Sequence, residues 1–212
     1  MSEASNLAVL ALGFILGLKH ATDPDHIVAV TTFLGKESQL RRACGIGLFW
    51  GLGHTIALSI AGLVVIGLKI PISKWLADRL ELAVAAMLII LGARLISTVH
   101  TRWHEHHHDF GWRRLGLRPM LVGIVHGTAG SAALTLLVLS TMSSTINGLL
   151  YVLIFGVGSM LGMLVISLLL SLPIRLAGER MAAAIRPLQM STGVLSCGFG
   201  LYLAATVWLK LS

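Results

Sequence analysis

The sequence predicts an all-α polytopic membrane protein: six transmembrane helices arranged as two inverted three-helix repeats, with both termini outside. Three observations predict it. The 212 residues are 56% hydrophobic and only 12% charged, with a mean hydropathy of +0.86, whereas a soluble domain carries about 25% charged residues. Six apolar segments run at roughly 7–34, 45–68, 80–99, 119–141, 147–172 and 187–209, each near the span of about 20 residues that a bilayer-crossing helix needs. The second half of the chain also repeats the order of motifs in the first. This composition excludes a soluble enzyme, a disordered chain and an ordinary nucleic-acid binder. The net charge of +7 and pI of 10.1 would suggest nucleic acid on a soluble chain, but on a membrane protein they read as basic cytoplasmic loops.

The first segment is the unusual one. Its apolar run Leu7–Leu18 is interrupted by Lys19, His20, Asp23, Asp25 and His26 before Ile27–Leu34 resumes. Pro24 offers no N–H to the His20 carbonyl and pushes Asp23 out of helical geometry, which predicts a local unwinding that frees backbone carbonyls and turns Asp25 inward. The second segment carries Phe49-Trp-Gly-Leu-Gly-His54-Thr55, a histidine among small residues that let helices approach closely. After the third segment comes a polar loop, 100–118, with His100, His104, Glu105, His106, His107, His108 and Asp109; Trp103 and Trp112 read as anchors at headgroup level. The fourth segment carries His126. The fifth holds Gly158-xxx-Gly162, which mirrors Gly53-xxx-Ala57 in the second. The sixth contains Cys197, which with Cys44 makes no metal or disulfide spacing. Met1-Ser2-Glu3 lacks the basic start expected of a cleaved signal peptide.

The basic residues orient the chain. Loops after the first, third and fifth segments hold Lys36, Arg41 and Arg42, then Arg94, Arg102, Arg113, Arg114 and Arg118, then Arg175, Arg180 and Arg186. The opposite side holds Lys69, Lys74, Arg79 and Lys210. The positive-inside rule places the 100–118 loop in the cytoplasm. The repeat rests on four matches in order: Gly17-Leu-Lys-His-Ala-Thr22 with Gly123-Ile-Val-His-Gly-Thr128, Phe49–His54 with Ile154–Ser159, Leu91–Leu95 with Phe199–Leu203, and Pro71 with Pro173. Each copy has an odd number of helices, so the second inserts upside down, as in many secondary transporters. The expected domains are 1–99, the first repeat with the metal motif; 100–118, the His-rich cytoplasmic loop; and 119–212, the second repeat.

Placing a charge at bilayer depth costs at least about 2.5–3.5 kcal/mol per residue, so the groups around His20 need partners or a task. His20, Asp23, Asp25 and His26 together, with His54, form a nitrogen and oxygen ligand set that suits divalent first-row metals such as Ni²⁺, Co²⁺ or Zn²⁺. His126 occupies the position matching His20 and is expected near the pseudo-twofold axis. Taken singly, each histidine reads equally as a packing or proton-relay residue; the cluster points to metal. The loop histidines form an accessory metal-binding tract by composition, or a solvated polar loop.

His20, Asp25 and His26 reproduce the His-x4-Asp-His signature of the nickel/cobalt transporter family, and Gly53-His54-Thr55 is similar to its second-helix motif. The sequence resembles the short six-helix, urease-accessory-like branch, specifically over about residues 14–58. The resemblance implies a permease moving Ni²⁺ or Co²⁺, with His20, Asp25, His26 and His54 as metal-site residues. The family's acidic motif in the second half reads here as His126-Gly-Thr-Ala-Gly-Ser-Ala-Ala-Leu-Thr135, without Asp or Glu.

The expected function is therefore a secondary transporter that takes the cation up by alternating access with the metal bound near mid-membrane, not an enzyme, with no cofactor and the metal as substrate; no GxxxxGK[ST] loop for ATP is present. Rival readings are efflux through the same site, an intramembrane metalloenzyme in which Asp23 activates a metal-bound water, and an adaptor that delivers metal without transporting it. Expected partners are the divalent cation, the lipid bilayer of the plasma membrane, and a cytoplasmic metallochaperone or a second copy of the chain, with no nucleic acid.

Overall fold

Long runs of Leu, Ile, Val, Ala and Gly become helices in a bilayer because hydrocarbon offers no partner for a free backbone amide, and a helix pairs every one internally. A computed structural model of the chain describes residues 3–34, 40–68, 72–101, 116–129, 144–177 and 182–211. Within them the elements are all helical: α1 (Glu3–His20), α2 (Pro24–Leu34), α3 (Leu40–Gly62), α4 (Lys74–Thr101), α5 (116–129), α6 (Thr145–Ala177) and α7 (Ala182–Leu211). A π-helical turn, Leu63–Gly67, continues α3. Among the described residues, four helices are long and apolar enough to cross a membrane, and α1 with α2, bent by 54° at their break, make a fifth when counted as one span. The fourth predicted segment, 119–141, is described only to residue 129.

Several helices run past their apolar segments. α6 has 33 residues, which at 1.5 Å per residue is about 50 Å, against about 30 Å of hydrocarbon and 40–45 Å with headgroups. The apolar stretch reports the hydrocarbon, whereas intrahelical hydrogen bonding continues among polar residues in the interface.

α3 and α6 pack against each other, α1 packs on α6, and α4 pairs with α7. α2, leaning away after the break, touches α3, α4, α6 and α7. Close approaches define the directions. Gly13 meets Tyr151 and Gly17 meets Phe155 and Ser159, so α1 and α6 run parallel. Gly123 meets Trp50 and His54, and Gly127 meets His54 and Ala57, so α5 and α3 also run parallel. Gly47 meets Met163 whereas Gly62 meets Val152, so α3 and α6 are antiparallel; α4 and α7 are too, with Gly92 on Gly193 and Cys197, and Gly200 on Ala85 and Ile89. At the α1–α6 and α3–α5 crossings only glycine fits: a Cβ on Gly17 or Gly123 would overlap a carbonyl oxygen, of Phe155 or Trp50 respectively.

Two apolar clusters form the core. One joins Ala29, Val30, Leu34, Ile46, Trp50, Leu88 and Met163; the other joins Leu58, Ile66, Tyr151, Val152 and Phe155. Leu12, Ile15, Leu169, Leu201 and Trp208 point outward, as expected where lipid is the solvent.

Candidate metal centre

The α1–α2 break is built by Pro24. Ala21 N donates to Gly17 O at 3.3 Å, after which the turn tightens: Thr22 N donates to Lys19 O at 2.9 Å and Asp23 N to His20 O at 3.0 Å. Thr22 Oγ1 adds a second bond to Lys19 O at 2.6 Å. Pro24 then opens α2, where its missing N–H costs nothing, and Ile27 N returns to Asp23 O at 3.1 Å. The expectation of freed carbonyls is corrected here for Lys19 and His20, both engaged within the turn. A buried carbonyl without a partner is expensive, and a three-residue turn satisfies these two where the α-helical bond to residue 24 is impossible.

The 54° bend carries Asp25 round to face α5. Its Oδ1 accepts from His26 N at 3.0 Å, and its Oδ2 lies 2.7 Å from His126 Nε2. An ionised carboxylate only accepts, so the imidazole donates. On the other side of the break His20 Nδ1 stands 2.7 Å from Asp23 Oδ2. That bond orients the ring and leaves Nε2 with its lone pair, the carboxylate–histidine arrangement typical of metal ligands.

His26 on α2 is the hub of the cluster. Its ring centroid lies 4.1 Å from that of His126, 4.6 Å from His20 and 5.2 Å from His54. His54, 5.3 Å from His20, arrives from α3. Thus His20, Asp25, His26, His54 and His126, from four helices, share one place, with Asp23 behind His20. His26, His54 and His126 are buried, while His20, Asp23 and Asp25 are partly open on the side of the break. Both ring nitrogens of His26, both of His54 and Nδ1 of His126 have no hydrogen-bond partner among the described residues. Two ligand sets have their ligand atoms within 4.8 Å of one another: His20, His26 and His54; and Asp25, His26 and His126. Metal–nitrogen bonds of about 2.0–2.1 Å require only a modest contraction of either set. The loop residues His104, His106, His107 and His108 lie outside the described residues, as does the side chain of His100.

Sequence reasoning passed over two aromatic neighbours. Phe155 packs on His20 at 5.4 Å between ring centroids, and Trp50 stacks on His26 at 6.2 Å and sits 6.1 Å from His126. They belong to the two apolar clusters and bound the imidazoles between them. The signal was present: Trp50 and Phe155 are opposite each other in the match of Phe49–His54 with Ile154–Ser159. Thr55, next to His54, donates its Oγ1 to Gly156 O at 2.8 Å and ties α3 to α6 beside the cluster.

Comparison with known proteins agrees with this picture. The profile of the high-affinity nickel-transport protein family, NicO, matches residues 6–114. Over 212 residues the chain is 37% identical to the urease accessory protein UreH of Bacillus sp. (strain TB-90), covering 95% of this chain and 92% of that one. It is 31% identical over 150 residues to a Methanocaldococcus jannaschii protein provisionally named a nickel/cobalt efflux system, covering 68% and 67%. With the nickel transporter NixA of Staphylococcus aureus it shares 36% identity over 70 residues, 32% of this chain and 20% of that one. No solved structure matches. A multi-pass helical bundle with this cluster at the break of its first span, matched by that profile and by a relative along nearly its whole length, belongs to the high-affinity nickel-transport protein (NicO) family.

Proposed function

We propose that the protein is a permease for a divalent transition-metal cation, Ni²⁺ or Co²⁺, held during transit by His20, Asp25, His26, His54 and His126, with Asp23 positioning His20. The observation that carries this reading is the set of buried, unpartnered imidazole nitrogens on His26 and His54 beside the Asp25 carboxylate. A buried polar atom without a partner costs about 1–3 kcal/mol, and these four, with His126 Nδ1 beside them, make poor structural glue. They make a good ligand set: neutral imidazoles supply lone pairs of borderline softness and the carboxylate offsets cation charge. The names of the family and of these relatives favour nickel and cobalt over other cations, and support transport over catalysis.

The same reading includes alternating access between two inverted three-helix repeats, residues 1–99 and 119–212, joined by the 100–118 loop, in a plasma membrane with both termini outside. Paired contacts support the symmetry. Gly17 on Phe155 and Ser159 corresponds to Gly123 on Trp50 and His54; Gly53 on Met120 corresponds to Gly158 on Phe14. Ser196 Oγ donates to Leu88 O, residues 108 apart. Parallel α1–α6 and α3–α5 pairs flanking an antiparallel α3–α6 pair is the arrangement a twofold axis in the membrane plane produces. On this reading α5 begins the fourth of six spans, and the loop histidines serve as an accessory metal acceptor for the cytoplasm or a metallochaperone.

Purified protein reconstituted in liposomes that enclose a Ni²⁺-quenched dye tests the proposal. Wild type is expected to admit Ni²⁺ or Co²⁺, and His26→Ala, which removes the hub, is expected to abolish the signal. Equal quenching by both would overturn the assignment. Loading the metal on either side of the membrane assigns uptake or efflux.

A further inference from the structure

The two ligand sets are neither separate nor equivalent. They share His26, and they differ in what occupies them at rest. In the first, His20 Nε2 and all four ring nitrogens of His26 and His54 have no hydrogen bond among the described residues. In the second, His126 Nε2 and Asp25 Oδ2 are bonded to each other at 2.7 Å, so a cation can take those two facing atoms only by parting them. The first set consists of three imidazoles, and the second replaces one of them with a carboxylate. His20 and His126, which distinguish the sets, stand at matching positions of the proposed repeats, and both rings lie within 5 Å of His26, at 4.6 and 4.1 Å.

We propose that these are two overlapping subsites for a single divalent cation, and that transit includes a hand-over between them with His26 as the shared ligand. The cation is received by His20, His26 and His54, then exchanges His20 and His54 for Asp25 and His126 as the Asp25–His126 hydrogen bond opens. The inference rests on the permease reading. Its physical basis is that a path through a membrane must bind well enough to strip water yet release its ion, which several adjacent sites of partial strength achieve better than one deep site. A shared ligand lets the cation cross from one set to the other without returning to water. The paired Asp25 and His126 act as a latch, so the all-imidazole set loads first.

Cobalt reports the ligand set through its visible absorption bands. Purified protein in detergent is titrated with Co²⁺, with metal content measured after gel filtration; the elution profile confirms folding, and His126→Gln and His54→Gln back up the alanine variants. Wild type is expected to bind one Co²⁺ per chain. His54→Ala and His126→Ala are each expected to keep one Co²⁺ but with different spectra, the first mixed nitrogen and oxygen, the second all imidazole. His26→Ala is expected to bind at least about tenfold more weakly than either, the low end of what loss of even a supporting residue does to metal sites. In liposomes both single variants should lose flux while retaining binding. Two Co²⁺ per wild-type chain, or loss of binding in His54→Ala and His126→Ala as complete as in His26→Ala, would refute the hand-over while leaving the permease standing. A wild type that neither binds Co²⁺ nor transports overturns the permease reading itself.

Discussion

Replacing Gly53 with alanine places a methyl group on the Met120 carbonyl oxygen and 3.2 Å from the Ile124 amide nitrogen. Both are backbone atoms of α5, so no rotamer relieves the contact and the helix itself must retreat. Restoring an ordinary separation of about 3.5 Å requires a shift of about 1.4 Å. Forcing extra volume into a close-packed contact costs about 1–3 kcal/mol, and at 1.4 kcal/mol per decade the folded-to-unfolded ratio falls roughly 5–140-fold. The site feels the same movement, because α5 carries His126 and its 2.7 Å bond to Asp25 cannot survive a shift of that size. Gly45 on the same helix is the control: a Cβ there meets nothing within 4 Å, and alanine is the better helix former by about 0.5–1 kcal/mol. Thermal unfolding in detergent, followed by loss of the monodisperse gel-filtration peak, should place Gly53→Ala below wild type and Gly45→Ala at or above it. Ni²⁺ flux in liposomes should fall only in the first. If the two variants unfold together and transport equally, the α3–α5 crossing is not set by Gly53 and the packing argument is wrong.

Asp23→Asn keeps the shape of the turn but gives up the charged acceptor that orients His20; Co²⁺ affinity is expected to drop about 10–100-fold with the elution profile unchanged, and an unaltered titration would mean that His20 needs no support. Flux should decline as the external medium is made acidic, because protons compete with the cation for ring nitrogens; initial rates across an acid series check the sign, and a rise on acidification contradicts imidazole ligation. Ser196→Ala removes the 2.8 Å bond to Leu88 O at the α4–α7 crossing, away from the cluster. Bonds of this kind between membrane helices average about 0.6 kcal/mol, so a slightly lower unfolding temperature with wild-type flux is expected, and lost flux in folded protein would give α4–α7 a direct part in transport.

Much of the site was legible in the residues. Charged groups at bilayer depth are conspicuous against an apolar background, and Pro24 marks where the helix must break, so His20, Asp23, Asp25 and His26 announce themselves together. His54 was reached through its glycine neighbours and the family resemblance. Other features were not legible. The unwinding at Pro24 predicted that Asp25 turns inward, but not which partner each carboxylate takes: Asp23 goes to His20 as an orienting partner and Asp25 to His126. Of the carbonyls the break was expected to free, those of Lys19 and His20 are taken up within a tight turn. Trp50 and Phe155 escaped notice because an aromatic in an apolar helix looks the same whether it packs on leucine or on imidazole.

The sequence by itself determined that this chain lives in a membrane, that its spans are helices, and where along the chain its polar chemistry sits. These follow from local quantities: transfer cost per residue, the need to pair every backbone amide in hydrocarbon, and the geometry proline forbids. Only the tertiary structure decided which polar groups meet. Asp25 and His126 are 101 residues apart, and their contact exists because glycines at the α1–α6 and α3–α5 crossings let backbones touch and so set the helix spacing to within an ångström. Ligand geometry is a property of that spacing, and no local reading of the chain contains it.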